Sequence, residues 1–139
     1  MRTFIQSIFK NYNIHPKQLF LVDGLGGVVS AFFLGIVLVI FKDYIGMPTN
    51  ILIILALIAC LFAVYSLSCF FSFPKNWKSF MRLIAIANSI YCLLTFVLLI
   101  FYNNEISVLG HSYFIIEILI ILSIVAIEFT SILYFSEEK

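Results

Sequence analysis

The chain has 139 residues, of which 63% are hydrophobic and 11% are charged, with a formal net charge of +1 and a mean hydropathy of +1.15. A soluble globular domain carries about a quarter charged residues, so this composition excludes an ordinary soluble domain. The few basic residues are spread over several short segments, which excludes the basic patch of a nucleic-acid-binding protein.

The first predicted element is a short amphipathic segment over about residues 3–13. Its apolar residues, from Phe4 to Tyr12, recur at helical spacing, with polar residues such as Lys10 between them. This pattern predicts a helix that lies in the membrane interface, and a disordered tail is the alternative. We expect the helix to end at His15-Pro16, because proline disfavours helical backbone at the residue before it and suits the start of the next helix.

Four long apolar runs follow the amphipathic segment. A helix needs roughly 20 residues to cross a hydrocarbon core about 30 Å thick, and each run has that length. Because the connections between the runs are short, consecutive helices must lie antiparallel beside each other. The sequence therefore predicts an all-α fold, an integral membrane four-helix up-down bundle that forms a single domain over 1–139, with spans at about 19–41, 51–71, 80–101 and 113–135.

Lysine and arginine are distributed unevenly around these spans. Only Lys42 lies beside the first external connection, whereas the other basic residues flank the opposite ends of the spans: Arg2, Lys10, Lys17, Lys75, Lys78, Arg82 and Lys139. Cytoplasmic segments of membrane proteins carry the excess of positive charge. We therefore expect both termini, and the connection between the second and third spans, to be cytoplasmic.

The first span contains Asp23-Gly24-Leu25-Gly26-Gly27, which superficially resembles a phosphate-binding loop. The segment has no Gly-Lys-Ser/Thr ending and no preceding strand, so we do not expect it to bind a nucleotide. Small residues at spacings of three and four instead predict close contact between the first two helices. The two small-residue strips are Gly27, Ala31 and Gly35 in the first span and Ala56, Ala59 and Ala63 in the second.

Ionisable and polar residues inside the spans are the candidate functional groups. A charge at the centre of a bilayer costs about 2.5 to 3.5 kcal/mol, so such residues should face the bundle interior. The helical rise places Asp23, Asn88 and Glu128 in the half nearer the cytoplasm, where Tyr65, Ser66, Ser68, Ser89 and Tyr91 lie at comparable depth. The candidate ligand- or proton-binding residues are Asp23, Tyr65, Arg82, Asn88, Tyr91, Glu117 and Glu128.

Glu117 lies nearer the external side and precedes Glu128 by eleven residues. Eleven residues are only about 20° more than three helical turns, so the two carboxyls should share one face, about 16 Å apart along the axis. That distance is too long for them to share a proton. On a functional interpretation, the polar groups bind a cation or pass protons. On a structural interpretation, Asp23 or Glu128 pairs with Arg82, or hydrogen-bonds to Asn88 and tyrosine side chains, and thereby fixes helix pairing.

Cofactor and metal motifs are not apparent in the sequence. The three cysteines lie within spans without a CxxC pair, and His15 and His111 belong to opposite ends of the bundle, which does not suit two axial haem ligands. Glu105 and Glu117 have no tight spacing with His111 that would indicate a metal site. We therefore expect no cofactor, no metal and no enzymatic active site.

The segments LFLVDGLGG, GMP, NWKSFMRLIAIANSIYC and VLGHSYFIIE resemble a family of small four-span bacterial inner-membrane proteins that have no assigned activity. This resemblance covers nearly all of the chain and implies a bacterial inner membrane. Small multidrug resistance transporters are similar in architecture, since they also have four spans and an acidic residue in the first. The chain departs from them in its amphipathic N-terminal segment and in the two carboxyls of the fourth span.

The sequence thus predicts a bundle in the lipid bilayer whose intramembrane polar cluster stabilises the assembly or binds a proton, a cation or a small polar ligand. A small proton-coupled transporter acting as a dimer is one alternative. The other is an accessory subunit of a membrane complex. The expected partners are accordingly the bilayer, a second copy or another membrane protein, and a small molecule or ion, but no nucleic acid.

Overall fold

The computed structural model describes residues 2–12 and 14–137. Residue 13, where the amphipathic segment was predicted to end, and the basic residue Lys139 lie outside these ranges. Four of its helices are long and apolar enough to cross a membrane, which confirms the all-α fold with four spans. The helices are α1 (Arg2–Tyr12), α2 (Pro16–Ile40), α3 (Lys42–Ile45), α4 (Thr49–Ser72), α5 (Trp77–Phe101) and α6 (Val108–Glu137).

Helix α2 extends beyond its apolar run because a polar residue caps its start. Helix α2 begins at Pro16, three residues before its run, and His15 is the N-cap. The His15 Nδ1 accepts from the backbone N–H of Lys17 at 3.2 Å, and the Gln18 Oε1 accepts from the N–H of His15 at 3.4 Å. These contacts satisfy N–H groups that a helix start would leave free.

Helices α2 and α4 form the first hairpin and pack closely through the two small-residue strips. A Cβ atom added to Gly27 would lie 3.0 Å from the Cβ of Ala63, and one added to Gly35 would lie 3.3 Å from the Cβ of Ala56. The predicted contact between the first two helices is therefore confirmed. Close backbone approach of this kind maximises dispersion contacts, which drive helix association where lipid removes the hydrophobic effect.

Helices α5 and α6 form the second hairpin and pack along each other's length. Contacts between the hairpins are much sparser: α2 touches α6, and α4 touches α5, at only a few positions. The bundle is thus a pair of tight hairpins with a looser junction between them, and that junction is where an internal cavity can lie.

The turns at one end tie the hairpins together. The Ser107 N–H donates to the carbonyl of Ile45 at 2.9 Å, and the Ser107 hydroxyl donates to the carbonyl of Tyr44. Gly46, with φ of +86°, lies so close to the second hairpin that an added Cβ would be 1.9 Å from the Glu105 carbonyl oxygen. Glycine is required here both by the left-handed backbone and by this contact.

The other end carries Lys17, Lys75 and Lys78 and is called the basic end. Here α1 docks through Phe9, whose ring stacks on that of Tyr134 with centroids 5.6 Å apart. Phe4 and Tyr12 of α1 are largely exposed. The helix predicted near the N-terminus is therefore present. Among its described side chains Phe9 is buried against the bundle, and the exposed Phe4 and Tyr12 are available to a membrane interface.

Candidate functional site

Asp23 lies at the centre of a buried hydrogen-bonded triad. Its Oδ1 accepts from the Asn88 Nδ2 at 2.7 Å, and its Oδ2 accepts from the Ser66 hydroxyl. All three side chains are buried, and they come from α2, α5 and α4. The triad therefore links the two hairpins at this level, and it confirms a polar cluster inside the bundle.

Glu128 lies close enough to Asp23 for their carboxyls to interact electrostatically. It is completely buried, and neither carboxyl oxygen has a hydrogen-bond partner among the residues that the structure describes. The neighbouring Ser131 hydroxyl is likewise without a partner within that part of the chain. Glu128 thus belongs to the same region as the triad without being bonded to it.

A cavity of about 430 Å³ runs between the hairpins, bounded mainly by α2 and α6. From Asp23 to Phe33, both of which line it, α2 rises roughly 15 Å, so the cavity is elongated along the bundle. Most of its wall is apolar. Its polar lining consists of Asp23, Ser30, Asn88, Tyr91, Tyr113 and Glu117.

Glu117 is the unsatisfied acid of this cavity. Its side chain is only 6% exposed, and neither carboxyl oxygen has a hydrogen-bond partner among the described residues. Ser30, Tyr91 and Tyr113 line the same cavity and present hydroxyl groups near its carboxyl. The Tyr91 hydroxyl also lacks a partner within the described chain. The acceptor oxygens of Glu117 and the hydroxyl of Tyr91 are therefore both free to bind another group.

The cavity opens on the surface of the bundle between α2 and α6. The side chains at this mouth are apolar and about half exposed: Val29 at 55% on α2 and Ile116 at 56% and Ile120 at 55% on α6. At the end of the cavity that is farther from the triad, the Phe33 ring stacks on the Tyr113 ring, with centroids 6.1 Å apart. Phe33 begins a π-helical turn, Phe33–Val37, a local irregularity frequent at functional sites.

Two predicted site residues lie elsewhere. The Tyr65 hydroxyl donates to the Phe80 carbonyl at 3.0 Å, and Tyr65 does not line the cavity. The Arg82 side chain is exposed, and within residues 2–12 and 14–137 no ion pair joins it to Asp23 or Glu128, so the suggested pairing was wrong. Arg82 lies near the basic end of α5, where a long side chain can reach toward water.

The small-residue strips could have identified Ser66 as the partner of Asp23. Asp23 precedes Gly27 by four residues, and Ser66 follows Ala63 by three, so each polar residue continues its strip by one step toward the basic end. Depth alone had placed Ser66 beside Tyr65 and Ser68 without choosing among them. Ser30 and Tyr113, which also line the cavity, were not among the candidates.

In chemical terms the cavity offers carboxyl and hydroxyl oxygens but no cationic side chain among its lining residues. Its one amide, that of Asn88, already donates to Asp23. Among the described residues, no group of three or more His, Cys, Asp and Glu side chains is arranged to hold a metal ion. The cavity therefore suits a proton or a hydrogen-bond-donating cation better than an anion.

No protein-family model, curated protein or solved structure matches this chain. The resemblance to small four-span bacterial proteins accordingly has no matching family to support it.

Proposed function

We propose that this protein is a membrane-embedded binding protein that takes up a proton or a cation in the cavity between its hairpins, with Glu117 as the exchanging group. The observation that carries the proposal is a buried carboxyl that faces a cavity and has no hydrogen-bond partner among the described residues. We propose binding rather than catalysis, in a bacterial inner membrane with both termini cytoplasmic.

The two acidic side chains of the cavity, Asp23 and Glu117, differ in their hydrogen bonding. Both oxygens of Asp23 accept a hydrogen bond, and these bonds connect three helices. Such an acid is suited to holding helices in register. Both oxygens of Glu117 lack a partner in the described chain. An ionised carboxylate in an apolar site is costly, so Glu117 gains most from acquiring a proton or a cation.

A small proton-coupled transporter acting as a dimer is the second candidate. It is favoured by the sparse contacts between the hairpins, since the cavity lies along that junction. Transporters expose a site alternately by rocking one half against the other, and a loose junction between rigid pairs permits such motion.

Infrared difference spectroscopy of the purified protein tests the binding proposal. A protonated carboxyl without hydrogen bonds has a higher C=O stretching frequency than a solvated one, so buried acids can be seen separately from surface acids. Glu117 and Glu128 both lack hydrogen-bond partners among the described residues, so each should contribute a high-frequency band when protonated. We expect one of these bands to change between acidic and alkaline buffer and to disappear in Glu117→Gln. Glu117→Asp should shift this band, which guards against an effect of misfolding.

Glu128→Gln is the matched control, because Glu128 lies on the same face of α6 but does not line the cavity. It should leave the Glu117 band in place. A pH-dependent spectrum that is identical in wild type and Glu117→Gln would refute the proposed role of Glu117.

A further inference from the structure

The oxygen atoms that line the cavity around Glu117 can accept the hydrogen bonds of a primary ammonium group. An ammonium group has three N–H donors and no acceptor. Glu117 supplies a carboxylate, and the hydroxyl oxygens of Tyr91, Tyr113 and Ser30 lie around it. The Tyr91 hydroxyl and both Glu117 oxygens make no hydrogen bond within the described chain. Several acceptors thus surround one position.

The rest of the cavity matches an alkyl chain. Apart from the six polar side chains, its walls are aliphatic, aromatic or glycine, and its volume of about 430 Å³ is that of a small-molecule site. The mouth between Val29 and Ile120 faces the region that lipid occupies around a bundle. A ligand with an apolar chain can therefore enter from the bilayer.

We propose that the cavity binds a primary alkyl amine from the bilayer, with its ammonium group on Glu117 and its chain along the apolar walls between α2 and α6. This proposal rests on the proposed function and names the class of ligand. An alkyl chain gains little when it leaves lipid for an equally apolar cavity, so the ammonium contact must supply most of the selectivity.

A free amine suits the cavity better than the amine of a lipid headgroup. The headgroup of phosphatidylethanolamine carries a phosphate next to its ammonium group. The lining residues include no lysine, arginine or histidine to receive that phosphate, and the Asn88 amide is engaged by Asp23. A buried phosphate without a cationic partner would cancel the gain from the ammonium contact.

The test is equilibrium binding of radiolabelled decylamine to the protein in phosphatidylcholine nanodiscs, with binding to empty nanodiscs subtracted. We expect saturable binding that unlabelled decylamine displaces. Decyltrimethylammonium, which has the charge without N–H donors, should compete roughly tenfold less well or worse, and decanol and decanoate should not compete. Phosphatidylethanolamine added to the nanodiscs should not reduce binding.

Variants separate recognition of the amine from general attraction of cations. Glu117→Gln should weaken decylamine binding roughly ten- to hundredfold, and Glu117→Asp should retain part of it. Glu105→Gln removes an exposed carboxyl outside the cavity and should bind as the wild type does.

Four results would overturn the amine proposal. Equal competition by decanol would show a site for any alkyl chain, and wild-type affinity in Glu117→Gln would remove the acid from recognition. Competition by phosphatidylethanolamine would identify a lipid site instead. If decylamine fails to bind while the infrared band of Glu117 still responds to pH, the amine proposal fails and the proposed proton or cation binding stands.

Discussion

Two adjacent glycines on α2 provide a sharp test of how the first hairpin is packed. A Cβ atom on Gly27 would lie 3.0 Å from the Ala63 Cβ and 3.1 Å from the Ala59 carbonyl oxygen. The nearest atom to a Cβ on Gly26, by contrast, is the Cδ1 of Ile124 at 4.0 Å. The same substitution to alanine should therefore have opposite effects at neighbouring positions.

The expected magnitudes follow from two opposing terms. Replacing a helical glycine with alanine stabilises a helix by roughly 0.5–1 kcal/mol, because less backbone freedom is lost on folding. Forcing a methyl group into a packed contact costs about 1–3 kcal/mol. Gly26→Ala has only the first term, whereas Gly27→Ala has both. We expect Gly27→Ala to be less stable than Gly26→Ala by about 1–3 kcal/mol.

Unfolding by SDS in mixed micelles, followed by circular dichroism, measures the difference in free energy. Ala63→Gly removes the nearest clashing atom, so it should destabilise the Gly27→Ala variant less than it destabilises the wild type, although contacts with the Ala59 carbonyl and the Ala63 backbone nitrogen remain. This difference is a coupling between two sites that touch. Gly27→Ala that is as stable as Gly26→Ala would refute the close approach of α2 and α4.

Two further predictions concern the triad and the topology. Asn88→Ala removes one donor from Asp23 without adding volume, so it should lower the free energy of SDS unfolding by at least roughly 0.6–1.7 kcal/mol. Ser89→Ala, whose hydroxyl bonds only within α5, should change this free energy by less than about 0.5 kcal/mol, and equal effects of the two variants would contradict the triad. A cysteine at Asn104 should react with an impermeant thiol reagent in intact cells and one at Lys75 should not, and labelling at Lys75 would reverse the proposed orientation.

The fold was largely predictable because the bilayer limits the choices. In a chain with four apolar runs of this length, only helices can hydrogen-bond all the backbone N–H and C=O groups that lie in lipid. The short turns then require neighbouring helices to lie antiparallel. Hydropathy alone located the helix boundaries less well: the first apolar run begins at residue 19, whereas α2 begins at Pro16, where the His15-Pro16 pair predicted a helix start. The π-helical turn at Phe33–Val37 and the contact of Ser107 with Ile45 have no signal in the apolar pattern.

The site was predictable in depth but not in direction around the helix axis. Asp23 and Asn88 were expected at one level, and they are hydrogen-bonded there. Tyr65 lies at the same level, but one residue corresponds to a rotation of about 100°, which takes it away from Ser66 and the cavity. Direction depends on which helices pair, and in this chain the small-residue strips carry that information.

The cavity is a consequence of how the hairpins are joined rather than of poor packing inside either one. The triad fixes the hairpins at one level, and the contacts of Gly46 and Ser107 fix them at the turns near Glu105. Between these points lipid provides no hydrophobic force to close the gap, because an alkyl chain is as well solvated by lipid as by protein. An apolar gap alone would simply hold a lipid chain. Glu117 changes this, since a buried carboxyl with no partner in the described chain penalises an apolar occupant and favours one that brings a positive charge.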